Sequence, residues 1–131
     1  MKKIAFILTV LCSSVIIMSC GGQTGDTTDV NTTPESVVQA VFDAAKSGDF
    51  SKLGGLCDPR GENDGDTRKI CELEKDMESE FVEYFKEGKV AGDAVINGDQ
   101  AEVPILFGPE GGEEETMKVV QRDGKWYLMS F

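Results

Sequence analysis

Residues 90–131 read VAGDAVINGDQAEVPILFGPEGGEEETMKVVQRDGKWYLMSF, and the two-residue alternation within them decides the fold. Apolar positions alternate on both sides of Asn97-Gly98 and again around Asp123-Gly124. Such pairs favour the tight type I′ turn, whose two central residues need positive φ. The first hairpin joins strands over 89–96 and 99–107, with paired residue numbers adding to 195. That register puts Val90, Ala94 and Ile96 on the same face as Ala101, Val103 and Ile105. Pro104 has no N–H to give to a ladder, so its strand is expected to lie at an edge or carry a bulge. The second hairpin joins 114–122 to 125–131, with pairs adding to 247. It places Met117, Val119, Trp126 and Leu128 on one face and Val120, Tyr127, Met129 and Phe131 on the other. Because both faces are apolar, the first is expected against the helices and the second is a candidate interface with another protomer or a partner. A small sheet packed on both sides is the alternative.

Upstream, the period changes to that of a helix. Thr33 can cap with Pro34 at the first helical position, or Thr32 and Glu35 can form a capping box. Val37, Val38, Val41, Phe42 and Ala45 then share one face, and Gly48 can end the helix, which gives a span of 33–47. Asp49 can open a second, short helix over 49–56 with Phe50, Leu53 and Leu56 on one side, weakened by Gly54-Gly55. The longest helix is expected over 67–87, where Ile70, Leu73, Met77, Phe81, Tyr84 and Phe85 form an apolar stripe and Gly88 stops the run. The fold class is therefore α+β: three N-terminal helices packed on a four-stranded antiparallel sheet.

The first residues carry an address. Lys2 and Lys3 precede an apolar run from Ile4 to Met18 that is too short to span a bilayer, and Ser19 precedes Cys20. Residues 1–19 are read as a cleavable signal and Ile17-Met18-Ser19-Cys20 as similar to the bacterial lipobox, which implies lipidation of Cys20. A plain signal with a chance cysteine, or an uncleaved anchor, is the alternative. Each buried methylene contributes about 0.8 kcal/mol, so several acyl chains would hold the domain durably on a membrane. Residues 20–32 read as the lipidated cysteine and a flexible Gly- and Thr-rich tether, and residues 33–131 as one domain. The absence of Asp directly after Cys20 points by resemblance to the outer membrane, with the face left open. The localisation read is the bacterial cell envelope.

Removal of the signal leaves 11 basic against 24 acidic residues. So acidic a surface repels nucleic acid and anionic headgroups, and no nucleic-acid partner is expected. Cys57 and Cys71 remain in a compartment that permits disulfides. Bridged, they would close a loop of about 15 residues, contributing roughly 3 kcal/mol in the chain-entropy model. Two buried reduced thiols, or a redox or metal pair, are the alternatives.

The helix order, the opening Thr33-Pro34-Glu35-Ser36-Val37-Val38-Gln39-Ala40-Val41-Phe42, Lys46-Ser47-Gly48-Asp49-Phe50, and the closing Arg122-Asp123-Gly124-Lys125-Trp126-Tyr127-Leu128 carry a resemblance. The chain resembles small bacterial lipoproteins with a lumazine-binding-type domain, within the nuclear transport factor two-like, or cystatin-like, superfamily. The resemblance implies a curved sheet closing a cone whose interior sometimes holds a ligand, and a sheet face through which many members dimerise. It identifies no pteridine contact here.

The chain has no histidine, which excludes the Ser-His-Asp triad and histidine metal sites. Tyr84 and Asp93 are the nearest candidates for an isomerase-like acid–base pair, though no motif carries that role onto them, and the domain is read as non-catalytic with no catalytic residues. Asp58, Glu62, Asn63, Asp64 and Asp66 supply calcium-type oxygens, but Arg60 breaks the EF-hand spacing, so the segment is read as a solvated loop with no metal and no cofactor. Phe42, Phe81, Tyr84, Phe85, Val103, Ile105 and Trp126 are the candidate pocket for a small ligand. The function read is a membrane-anchored domain binding a small ligand or an envelope partner. A structural lipoprotein that dimerises or docks through Val120, Tyr127, Met129 and Phe131 is one alternative, and an isomerase-like enzyme is the other.

Overall fold

Capping chemistry starts the first helix, α1 (Pro34–Ser47), where Thr33 Oγ1 accepts from the Ser36 N–H and Ser36 Oγ accepts from the Thr33 N–H. Pro34 occupies the first turn, and Gly48 ends the helix at φ 72°, donating its N–H to the Ala44 carbonyl at 2.9 Å. The computed structural model describes residues 29–131, so the signal segment, Cys20 and tether residues 21–28 lie outside the described residues. Residues 29–32, read from sequence as tether, belong to the folded domain. Val30–Thr32 form a 3-10 turn capped by Asp29, and the buried Asn31 donates from Nδ2 to the Trp126 carbonyl at 2.6 Å.

The expected second helix is only a 3-10 turn, Leu53–Leu56, because Gly54-Gly55 gives the segment too little helix preference for a regular α-helix. The expected helix over 67–87 is two: α2 (Gly65–Cys71) and α3 (Glu78–Phe85). The chain leaves helical conformation at Glu72 (φ −107°, ψ 45°), directly after Cys71 is tied to Cys57 in a disulfide with Cα atoms 6.0 Å apart. The apolar stripe continues through this break, which is why periodicity alone reads it as one helix. Cys57→Ser and Cys71→Ser in one chain should lower stability by about 3 kcal/mol, read as an earlier urea midpoint.

The sheet has five strands rather than four. β1 (Lys89–Val90) and β2 (Val95–Asn97) both pair with β3 (Gln100–Phe107), which pairs with β4 (Glu113–Arg122), which pairs with β5 (Lys125–Ser130), all antiparallel. Val90 opposes Ile105 in the expected register, whereas Ile96 opposes Ala101, a slip of two residues. Ala91–Ala94 absorb the slip opposite Pro104, whose missing N–H removes a ladder bond, and the Pro104 carbonyl accepts from the Ala91 N–H at 2.8 Å. A slip of two keeps every side chain on its expected face. In the second hairpin Val119 opposes Leu128 and Val120 opposes Tyr127 as expected, but the register shifts between Lys118 and Val119, so that Lys118 opposes Ser130.

α1 lies on the sheet. Its Val37, Val38, Val41 and Phe42 are fully buried with Val103, Ile105, Met117, Val119 and Leu128. Gly88 permits this packing, since an added Cβ there would clash with the edge of the Phe42 ring, at Cδ1 and Cε1, and crowd the Phe85 carbonyl. Gly88→Ala should therefore cost about 1–3 kcal/mol in equilibrium unfolding. The free edge of β5 is covered by residues 57–64. Asp58 N–H and Asn63 Nδ2 both donate to the Leu128 carbonyl, and Asp64 N–H donates to that of Met129.

Candidate functional site

A cleft of about 250 Å³ opens where α2 and α3 meet the sheet. Ile70 of α2, Leu73 and Met77 of the connecting turn, and Phe81, Tyr84 and Phe85 of α3 form one wall. Phe107 at the end of β3 and Phe131 after β5 form the other. The phenylalanines are packed as a set: Phe81 stacks on Phe85 with centroids 5.0 Å apart, Phe85 lies 5.6 Å from Phe131, and Phe107 meets Phe131 edge-on at 5.1 Å. Such aromatic contacts fix ring positions beyond what burial alone would do. The α3 wall is held to the sheet by the Gly108 N–H, which donates to the Tyr84 carbonyl at 2.8 Å.

Charged groups stand at the rim. Lys69 Nζ lies 2.9 Å from Asp66, and Glu80 also borders the cleft. The hydrogen bond and charge of Asp66, with a smaller contribution from Glu80, hold Lys69 above its ordinary range and so protonated. Tyr84 is 39 % exposed, its ring forming part of the mouth.

The structure divides the candidate pocket residues. Phe81, Tyr84 and Phe85 line the cleft, while Phe42, Val103, Ile105 and Trp126 lie in the packed core beneath it and do not. The inside of the curved sheet is filled by α1, and the cleft opens at its end. The candidate interface set is also broken up. Val120 is buried, Tyr127 and Met129 are half-buried, and Phe131 faces the cleft because the shift at Lys118/Val119 ends the simple alternation. Asp93 is exposed in the segment between β1 and β2 and does not border the cleft that Tyr84 lines. Leu73, Met77, Phe107 and Phe131 were missed as a site. The helix stripe showed the first two, but nothing local in the sequence brings the last two strand ends onto it.

The acidic loop has protein partners. Asp58 is 4 % exposed and takes two hydrogen bonds from Arg122, at 3.3 Å from Nε and 3.0 Å from Nη2; Arg122 also meets Glu62 at 2.7 Å. Asp64 caps α2 by accepting from the Thr67 N–H at 2.7 Å and also accepts from the Phe131 N–H at 3.1 Å. Burial pushes both carboxyls up, but Arg122 and backbone N–H groups at Asp58, and Thr67 and the Phe131 N–H at Asp64, outweigh it and hold both below the ordinary 3.8. A carboxyl lowered on folding adds stability that is complete above its unfolded value and is lost as pH falls through the folded one. Urea midpoints should therefore hold steady down to about pH 4 and fall below it. Asp58→Asn should flatten that fall. Among the described residues, no group of three or more His, Cys, Asp or Glu is placed to hold a metal ion.

No protein-family model matches this chain, and no curated protein matches it. Its structure is similar to a 2.00 Å crystal structure from Campylobacter jejuni described as a "Putative NTF2-like transpeptidase", with a TM-score of 0.48 and 18 % identity over 74 % of this chain and 97 % of that one. Helices packed on an antiparallel sheet make the fold α+β. The expectation that the domain is not an enzyme is corrected: the neighbour carries an enzyme's name. Lack of histidine excludes only histidine chemistry and leaves carboxylates and tyrosines available. At this identity the likeness assigns no catalytic residue or activity to the present chain.

Proposed function

We propose that the protein is a lipid-anchored domain of the bacterial cell envelope that binds a small apolar ligand in the cleft between α2–α3 and the strand ends. The observation that carries this reading is the cleft itself, an opening of about 250 Å³ walled by aliphatic and aromatic side chains with charged groups only at its rim. An apolar enclosure with a few polar groups at its border is the usual form of a small-molecule site. The volume suits a single ring system or a short chain. Support for the anchor comes from the Ile17-Met18-Ser19-Cys20 sequence.

Titration of the protein with the neutral fluorophore N-phenyl-1-naphthylamine tests the site. A saturable rise in fluorescence is expected for the natural chain. It should be lost in Met77→Trp, which fills the cleft from its half-buried wall, with the unfolding midpoint little changed. Absence of a saturable rise in the natural chain, or its persistence in a folded Met77→Trp, would refute the reading.

A further inference from the structure

We infer that the anchored domain stands end-on, with the end that bears Asn31, Val95 and Ile96 against the bilayer and the cleft at the far end. This rests on the lipid-anchor reading above. The chain coming from Cys20 joins the domain at Asp29, where three contacts hold it. Asp29 pairs with Lys125 at 2.6 Å, and Asn31 Nδ2 donates to the Trp126 carbonyl at 2.6 Å and to that of Gly55 at 3.4 Å. Two elements lead away from that point to the cleft. β5 runs from Trp126 to the cleft residue Phe131, five residues or about 17 Å of strand. α1 runs from its cap at Thr33 to Phe42, about 13 Å of helix, and the Phe42 ring lies 6.1 Å from that of the cleft residue Phe85. Attachment and cleft are therefore at opposite ends.

The attachment end also carries the large exposed apolar side chains of the sheet. Val95 and Ile96 on β2 are 66 % and 59 % exposed. They follow Ala94, whose N–H donates to Glu35 in the first turn of α1 at 2.8 Å, which fixes β2 beside the start of that helix. Cys20 and Asp29 are nine residues apart, a span of at most about 30 Å, so this end cannot leave the vicinity of the bilayer. With its signal removed the protein has 11 basic against 24 acidic residues and is repelled by anionic headgroups, so the surface that fits is a zwitterionic one met by the two apolar side chains. The cleft then takes its ligand from the aqueous side, away from the anchoring leaflet.

The test uses the full protein extracted from the envelope and reconstituted into phosphatidylcholine vesicles containing a headgroup-diazirine phosphatidylcholine. Photo-crosslinked peptides are mapped by mass spectrometry. Crosslinks should be several-fold more abundant at 93–99 than at 77–85, and Ile96→Asp should reduce them while the protein still floats with the vesicles. Crosslinks concentrated on 69–85, or spread evenly, in a protein that floats would overturn the orientation and leave the anchor standing. Failure to float, with an unmodified Cys20 peptide, would overturn the anchor and the orientation together.

Discussion

Asp58→Ala should destabilise the domain by up to about 3–5 kcal/mol, the cost of breaking a buried ion pair, because Glu62, the other carboxylate on Arg122, is exposed and compensates the remaining charge only in part. The Asp58 side chain is fully buried and that of Arg122 is 10 % exposed, so water can replace the lost carboxylate only poorly. The effect extends beyond the pair. Asp58 lies in the segment that covers the edge of β5, and the same segment leads through Asp64 into α2 and the cleft wall. Urea unfolding of the variant should show an earlier midpoint, and the pair Asp58→Leu with Arg122→Leu should recover much of the loss, since an apolar pair of similar size leaves no uncompensated charge. A loss below about 1 kcal/mol for Asp58→Ala would mean that the pair behaves as a surface salt bridge.

Phe85→Ala should cost a comparable 3–5 kcal/mol, the usual range for a buried phenylalanine. Phe85 is 7 % exposed and its ring lies 5.0–6.1 Å from four others, those of Phe42, Phe81, Phe107 and Phe131. Among the described residues, no other ring joins the core under α1 to the cleft in this way. Truncation would enlarge the cleft into the core and release Phe81 and Phe131, so binding of an apolar probe should weaken along with stability. Phe85→Leu keeps most of the volume and should cost less. Equal losses for Ala and Leu would show that the aromatic contacts, more than the filled space, hold this region together.

Much of the architecture was legible because it follows from short-range rules. The cap at Thr33-Pro34, the left-handed Gly48 and the turn at Asp123-Gly124 each act within a few residues, while the first hairpin turns one residue later than expected, at Gly98-Asp99. Pro104 marks where the pairing breaks, but its own strand, β3, is interior and regular, and the irregularity lies in the edge strands opposite it. What the sequence hid depends on contacts between distant segments. The break at Glu72 leaves no mark in the apolar stripe. The shift at Lys118/Val119 turns Phe131 from the expected outer face into the cleft, and so takes it out of the candidate interface set and completes the candidate site with one change. Asn31 looked like part of a polar tether, and only its bond to Trp126, 95 residues away, makes it part of the domain. The cleft was half legible. Its helical wall lay on a visible stripe, but its strand wall required the register.

The most direct test of a ligand in the cleft is native mass spectrometry of the full protein released gently from the envelope, beside its denatured mass. A non-covalent mass on the natural chain that is absent from a folded Met77→Trp variant is the predicted result. A natural chain that carries no added mass, or an added mass that Met77→Trp retains, would contradict it.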